Sequence, residues 1–263
     1  MFKRSDVSHR VQKADLMKIG AIIQARTSST RLPGKVLKEM PYASGITVLQ
    51  QIIRRLRRSK RLDQLIVATS QEREDDEIAK VSEKENVKAF RGSLHNVLER
   101  YYLAAIDNQL DVIVRITADC PCVDAEIVDR VIEKHLTGES DFTSNVVKRT
   151  FADGFDVEVL SFNALKRVKE AAQDNAQREH VTLYIYRNPD KFKIVNVEAD
   201  GRLYAPDRRV TLDTPQDYAL LCAIYDALYY QDEYFPAGRI MELFDEKSWL
   251  ERISATSDTN VES

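Results

Sequence analysis

The chain has 263 residues, 43% of them hydrophobic and 31% charged, with a formal net charge of −3 at pH 7. That balance suits a globular protein with a sizeable core and gives no overall attraction to nucleic acid or anionic membrane; no stretch approaches the ~20 apolar residues of a membrane span. Three cysteines, Cys120, Cys122 and Cys222, supply no disulfide framework and suit a reducing, cytoplasmic setting, and Cys120-Pro121-Cys122 lacks both zinc spacing and a completing His or Cys.

Residues 1–16, MFKRSDVSHRVQKADL, have no long apolar core and read as a disordered extension, not a secretory signal. KIGAIIQA (18–25) has the pattern of a buried strand. TVLQQIIRRLRRSKR (47–61) sets Val48, Ile52, Ile53 and Leu56 at helical spacing. Its basic run flanks that apolar stripe and reads as a solvated face, because a nucleic-acid patch wants nearby aromatics and a basic domain. QLIVATS, VKAFRG and DVIVRITAD then read as strands, alternating with the helical DDEIAKVSEKEN, NVLERYYLAAIDNQ and AEIVDRVIEKHL. The near-continuous apolar runs LIVAT and VIVRIT fit strands covered on both faces. The alternation predicts an α/β fold, a Rossmann-like, doubly wound, mostly parallel sheet. Ligands of such sheets bind at the carboxyl ends of the strands, here 24–35, 68–75, 91–96 and 117–124.

After Asp141 the rhythm changes. DFTSNVV and GFDVEVLSF read as successive strands, NALKRVKEAA and QREHVTLYIYRN as helices, and FKIVNVEAD and RRVTL as strands, giving a mixed, partly antiparallel second half. TPQDYALLCAIYDALYY is a long helix with Thr214 as N-cap, Pro215 in its first turn and Asp217 three residues past the cap. A last helix is expected over 237–253, and 254–263 as a disordered tail. One domain over 17–253 follows, dividing near 140.

Five stretches carry chemistry. IIQARTSSTRLPGKVL (22–37) brings Arg26, Arg31 and Lys35 into one loop with Ser28, Ser29 and Thr30. Cations so close repel each other, so the loop is either an anion cradle or a basic solvated turn. It follows the first strand, where phosphate loops lie, yet Gln24-Ala25-Arg26 stands where a dinucleotide loop would have glycines. Side chains would then do the gripping through charge-assisted hydrogen bonds. In VRITADCPCVD (114–124), Asp119 ends an apolar strand and suits Mg²⁺, or caps the following turn; Asp124 caps the next helix. In VTLDTPQDY (210–218), Thr214 and Asp217 already explain the cap, which leaves Asp213 a plausible second metal carboxylate or a simple turn residue. In ADGFDVEV (152–159), Asp156 and Glu158 share a strand face and repel unless a cation or polar ligand lies between them or solvent screens them. In REHVTLYIYRN (178–188), His180 and Tyr184 share a helix face, as a binding pair or as packed surface residues. Ala68, Thr69 and Ser70 could meet a base through backbone or hydroxyl groups, and Arg91 and Ser93 end the third strand.

IIQARTSSTRLPGKVL resembles the nucleotide-binding signature of the sugar-acid cytidylyltransferases, the superfamily of the 3-deoxy-manno-octulosonate and N-acylneuraminate enzymes. Its QAR…STRLPGK form is most similar to the spore-coat-polysaccharide branch. The likeness continues over 18–218. VRITADCPCVD resembles the GDCP metal motif, with Ala118 for glycine. VTLDTPQDY resembles DTPED, ADGFDVEV resembles DGxDxEV, and RGSLHNVLERYY resembles GSxxDVLxRYY with Asn96 for Asp. REHVTLYIYRN resembles HxGxYxYR, with Thr182 for glycine.

The resemblance implies a sheet of the nucleotide-diphospho-sugar transferase type. It implies a Mg²⁺-dependent enzyme that moves CMP from CTP to a sugar acid or similar small anionic acceptor, releasing pyrophosphate, in cell-surface polysaccharide synthesis. Residues 17–140 would form the nucleotide half and 141–235 an acceptor and homodimer half. Arg26, Arg31 and Lys35 would surround the triphosphate, and Gln24, Ala25, Ala68, Thr69, Ser70, Arg91 and Ser93 would contact the nucleotide. Asp119 and Asp213 would hold Mg²⁺. Asp153, Asp156, Glu158, His180 and Tyr184 would line the acceptor site, which Thr182 narrows. A sugar-1-phosphate nucleotidyltransferase would instead show a glycine-rich AAGxGTR loop. A glycosyltransferase would show Asp-x-Asp where Asp119 is followed by Cys-Pro-Cys. A nucleotide-sensing module would bind CTP without turnover.

Overall fold

The computed structural model describes residues 17–258; the expected extension at 1–16 and the end of the expected tail, 259–263, lie outside them. Seven strands form one sheet in the order β3-β2-β1-β4-β6-β5-β7. They are β1 (Ile19–Gln24), β2 (Gln64–Ser70), β3 (Lys88–Gly92), β4 (Val112–Thr117), β5 (Phe142–Ser144), β6 (Glu158–Ser161) and β7 (Ile194–Asn196). The first four are parallel, with Gln24 in register with both Ala68 and Thr117. β6 pairs antiparallel to β4 and β5, and β7 pairs parallel to β5. The chain thus folds as an α/β protein with a doubly wound parallel half and a mixed second half.

Alternate residues of the central strands enter different layers, as the two-residue strand period requires. Ala21, Ile23, Val114 and Ile116 pack with α1 (Val48–Leu56) and α4 (Ala125–Gly138). Ile22 and Ile113 pack with α3 (Val97–Asp107) and α5 (Phe162–Ala171). Gln24, Arg115 and Thr117 belong by parity to the second layer, where it opens at the carboxyl ends. α2 (Asp76–Lys84) follows β2 and completes the covering of the parallel half. Among the described residues no helix is long and apolar enough to cross a membrane.

Several expectations change. The helix expected over QREHVTLYIYRN breaks into α6 (Asn175–Glu179) and α7 (Leu183–Arg187). At the break Thr182 turns inward, 4% exposed, and its hydroxyl donates to Glu158. His180 and Tyr184 therefore do not share a helix face. The strand expected over GFDVEVLSF contracts to Glu158–Ser161, because 152–156 folds as a turn against the segment before Asp213. RRVTL forms no strand beyond an isolated bridge between Asp153 and Arg209. α8 (Pro215–Leu228) begins with the expected capping box of Thr214 and Asp217. The final helix divides into α9 (Ala237–Glu246) and α10 (Trp249–Asp258), the latter passing the expected end at 253.

Candidate active site

The loop after β1 is tied down before it reaches its cations. Asp75 accepts from the Thr27 N–H (2.8 Å) and hydroxyl (2.7 Å) with one oxygen. With the other it accepts from the Ser70 N–H (3.2 Å) and hydroxyl (2.5 Å). Burial would raise the Asp75 pKa, but these donors outweigh it and hold the carboxyl below the usual range. Gly34, at φ +67°, then turns the chain into a short 3₁₀ segment, Lys35–Leu37, a conformation glycine adopts without strain.

That turn delivers Lys35 to the carboxyl end of β4. Its Nζ donates to Asp119 Oδ2 (3.0 Å), Asp213 Oδ1 (2.8 Å) and the Leu212 carbonyl (2.7 Å). Arg31 also reaches Asp213 Oδ1 (3.0 Å). Burial alone would lower the Lys35 pKa, but the two carboxylates outweigh it and raise the value. Burial alone would raise the Asp213 pKa, but Lys35, Arg209 and Arg31 outweigh it and lower the value. Both groups stay ionised throughout the range between ordinary carboxylate and lysine values. Arg26 lies at the rim, paired with Glu179 (3.2 Å).

A cavity of about 360 Å³ opens over these groups, lined by Gln24, Arg26, Ser28 to Arg31, Lys35, Thr117 and Asp119, together with Arg115, Glu179, His180 and Asp213. A second cavity of about 260 Å³ shares Arg115, Thr117 and His180 with it and adds Asp156, Glu158, Thr182 and Tyr186. The two form one cleft with a cation-bearing end and a neutralised end. At the second end Glu158 accepts from Arg115 Nη1 (2.6 Å), from the Thr182 hydroxyl (3.1 Å) and from the Tyr186 hydroxyl (2.7 Å). Burial, then Glu158, push the Tyr186 phenol above its ordinary value, so it remains a donor. Asp156 is held by both Arg149 Nη atoms, each at 2.9 Å.

The expected site residues divide accordingly. Gln24, Arg26, Arg31, Lys35, Asp119, Asp213, Asp156, Glu158 and His180 meet in the cleft. Ala25 is buried beside it, donating its N–H to the Ala68 carbonyl at 3.1 Å. Ala68, Thr69 and Ser70 are fully buried, with the Ser70 hydroxyl spent on Asp75. Arg91 is engaged by the Ser70 and Glu72 carbonyls and by Asp76. The Ser93 hydroxyl accepts from the Asn96 N–H at 3.1 Å, within the turn that leads into α3. Asp153 turns to Arg209 and Arg149. Tyr184 turns to Lys191 and packs edge-on against Phe192, while Tyr186 takes the place facing the cleft.

Arg115, Glu179, Tyr186 and Arg209 were not anticipated. For Arg115 a signal existed: a charge inside the apolar run VIVRIT must be partnered. Two buried atoms without a protein partner belong to residues lining the cleft, Gln24 Oε1 and Arg115 Nε.

A cation-bearing loop facing two carboxylates beside the carboxyl ends of a mostly parallel sheet is the arrangement the resemblance to nucleotidyltransferases implies. Residues 20–243 match the family model described as cytidylyltransferase. The spore coat polysaccharide biosynthesis protein SpsF of Bacillus subtilis is 38% identical over 210 residues, covering 78% of this chain and 85% of its own. An uncharacterised protein of Methanocaldococcus jannaschii, MJ1063, is 40% identical over 204 residues, 78% of this chain and 82% of its own. A 3-deoxy-manno-octulosonate cytidylyltransferase of Geobacter metallireducens is 30% identical over 201 residues, 71% of this chain and 70% of its own. A solved cytidylyltransferase from Leptospira borgpetersenii superposes with a TM-score of 0.83 at 33% identity, covering 89% of this chain and 96% of that one. The chain belongs to the cytidylyltransferase family and is a CTP-dependent nucleotidyltransferase.

Proposed function

We propose that this enzyme transfers CMP from CTP to a sugar acid or similar small anionic acceptor, releases pyrophosphate, and uses a divalent cation, Mg²⁺, held by Asp119 and Asp213. One observation carries the reading: a single ammonium, Lys35 Nζ, lies within 3.0 Å of an oxygen of each carboxylate. Two carboxylates that share one cation in this way suit a hard divalent ion, which takes one or two protein carboxylates and completes its shell with substrate phosphates and water. No group of three or more His, Cys, Asp or Glu side chains suited to a metal occurs among the described residues, which agrees with a site completed by its substrate. When bound, the cation polarises phosphate oxygens and offsets the charge on the leaving group.

The chain's own residues do the rest. Arg31 and Lys35 trade their carboxylate partners for triphosphate oxygens, and Arg26 turns from Glu179 to the same anion. The acceptor's deprotonated oxygen attacks the α-phosphorus in line, the bond from that phosphorus to the bridging oxygen breaks, and pyrophosphate carries away the charge. Catalysis of this kind is positioning and charge stabilisation. The acceptor fills the end walled by Asp156, Glu158, His180 and Tyr186, so that residues 17–140 serve the nucleotide and 141–235 the acceptor. The names of the relatives favour a place in cell-surface polysaccharide synthesis. The free cysteines Cys120, Cys122 and Cys222 favour the cytoplasm, and the exposed Val147 and Tyr204 a homodimer contact in the second half. Pyrophosphate release with CTP, Mg²⁺ and a panel of sugar acids tests the reading. Release is expected with one acceptor class, to need about tenfold more CTP in Arg26→Ala and to be lost in Asp119→Ala; activity unchanged by both substitutions would sink the assignment.

A further inference from the structure

Asp213 stands at the end of a segment, 208–213, with no regular secondary structure of its own. A metal carboxylate must nevertheless be held to a fraction of an ångström. Its support comes from the acidic turn at 152–156. The Asp153 N–H donates to the Arg208 carbonyl (2.8 Å) and the Val210 N–H donates to the Asp153 carbonyl (2.6 Å). Gly154 lies at φ +108°, and a Cβ there would fall 2.7 Å from the Val210 carbonyl carbon and 2.9 Å from the Thr211 nitrogen. Only glycine permits both that conformation and that approach. Across this junction Arg209 donates from Nη1 to Asp153 Oδ2 (2.6 Å), from Nη2 to Asp213 Oδ2 (2.5 Å) and from Nε to Asp217 Oδ1 (3.4 Å).

We propose that Arg209 is a positioning residue that fixes the Asp213 carboxylate for its divalent cation, and that Asp153 and Gly154 serve this reaction as its buttress and not as acceptor contacts. The inference rests on reading Asp119 and Asp213 as the metal pair. The Asp213 oxygens are divided between two kinds of partner. Oδ1 takes Lys35 and Arg31, which belong to the phosphate-gripping loop and change partner when an anion arrives. Oδ2 takes Arg209, which is absent from both walls of the cleft and is anchored behind by Asp153. One oxygen is therefore presented while the other is clamped. Coulomb's law alone makes a third cation beside a metal ligand unfavourable for metal binding. Arg209 thus helps only through geometry, and that gives the test a sign.

The test is a Mn²⁺ titration of the full chain with and without a non-hydrolysable CTP analogue, followed by water-proton relaxation, alongside steady-state kinetics. Arg209→Gln and Asp153→Asn are each expected to weaken Mn²⁺ about tenfold. The double variant should be no weaker than Arg209→Gln alone, and Arg209→Lys should recover part of the loss. Each single variant should lower kcat and leave the acceptor KM within twofold. Arg209→Gln that binds Mn²⁺ as tightly as wild type, or more tightly, overturns the proposal, since the guanidinium is then only a competing charge. Asp153→Asn that raises the acceptor KM with Mn²⁺ affinity unchanged overturns it too, returning Asp153 to the acceptor. Wild type that binds no Mn²⁺, or Asp119→Asn that binds it as wild type does, defeats the metal-pair reading instead.

Discussion

The two ends of the cleft handle buried charge in opposite ways. At the β1 end, Lys35 and Arg31 crowd onto Asp213 and Lys35 onto Asp119, and the side chains of Arg31 and Asp119 remain 56% and 29% exposed. At the β6 end, Glu158 is 7% exposed and has three donors arranged around it from two elements, Arg115 on β4, and Thr182 at the head of α7 with Tyr186 within it. The first set can exchange partners for a ligand. The second is saturated, and its pairs hold β4, β6 and α7 in place. Chemistry should fail first when the β1 end is altered, and the fold when the β6 end is.

Asp119→Asn gives the sharpest form of that contrast. It removes one carboxylate charge from the pair around Lys35 while keeping shape. Turnover should fall by about a thousandfold, which corresponds to about 4 kcal/mol of transition-state stabilisation, with the melting temperature nearly unchanged because the site is part-exposed. A large drop in melting temperature with modest loss of turnover would make Asp119 a structural residue and erase the distinction.

Glu158→Ala is the counterpart. Breaking a buried pair by removing one partner strands the other charge and costs about 3 kcal/mol, roughly 6–12 °C in Tm at this chain length. Thermal melts with and without CTP check it. An unchanged Tm would mean that Arg115 finds solvent and that the β6 end is not closed.

How far each end could be read from the sequence follows the same line. Arg26, Arg31 and Lys35 lie within ten consecutive positions, so their clustering needed no fold to be seen, only the strand before them. Asp119 stood out because it ends an apolar strand, and Asp213 because Thr214 and Asp217 already explain the cap beside it. The doubly wound half was legible because strands covered on both faces are apolar throughout. The β6 end has no such local signature. Arg115, Glu158, Thr182 and Tyr186 are scattered, and their meeting depends on an antiparallel register and on a helix break. That break is caused by a tertiary bond, Thr182 to Glu158, which intrinsic helix propensity cannot anticipate. Taking 178–188 as one helix put Tyr184 in the place that Tyr186 occupies. Arg209 escaped notice because its three carboxylate partners come together only when the 152–156 turn docks.

The third contrast is in pH. His135, buried on α4, shares its Nδ1 with the Thr143 and Ser140 hydroxyls, both at 3.2 Å. Burial pushes its pKa down to about 4, only partly opposed by Asp141. The unfolded chain takes up this proton below about pH 6.5, whereas the folded chain refuses it until about 4. Stability should therefore fall as pH drops through that window, by up to about 1.4 kcal/mol per unit. Urea midpoints at pH 7 and pH 5 should differ in wild type and converge in His135→Gln. Equal slopes in both would assign acid sensitivity to other groups. At the β1 end, Lys35 and Asp213 stay charged through this whole window, so their contribution should not move.

The smallest effects are expected where the two ends meet, at Arg26 and Glu179. Their side chains are 36% and 46% exposed, and ion pairs this open contribute between nothing and about 1 kcal/mol. Neither Arg26→Ala nor Glu179→Gln should shift the Tm measurably. In kinetics the two should separate. Arg26→Ala should raise the KM for CTP about tenfold, the worth of one charge-assisted contact to phosphate. Glu179→Gln removes the carboxylate that competes with the triphosphate for Arg26, so KM for CTP should fall two- to threefold. A rise instead would mean that Glu179 aims Arg26 at the phosphates, and the β1 end would then borrow its geometry from α6. The direction of that small shift decides whether the mobile and the saturated ends of the cleft are independent.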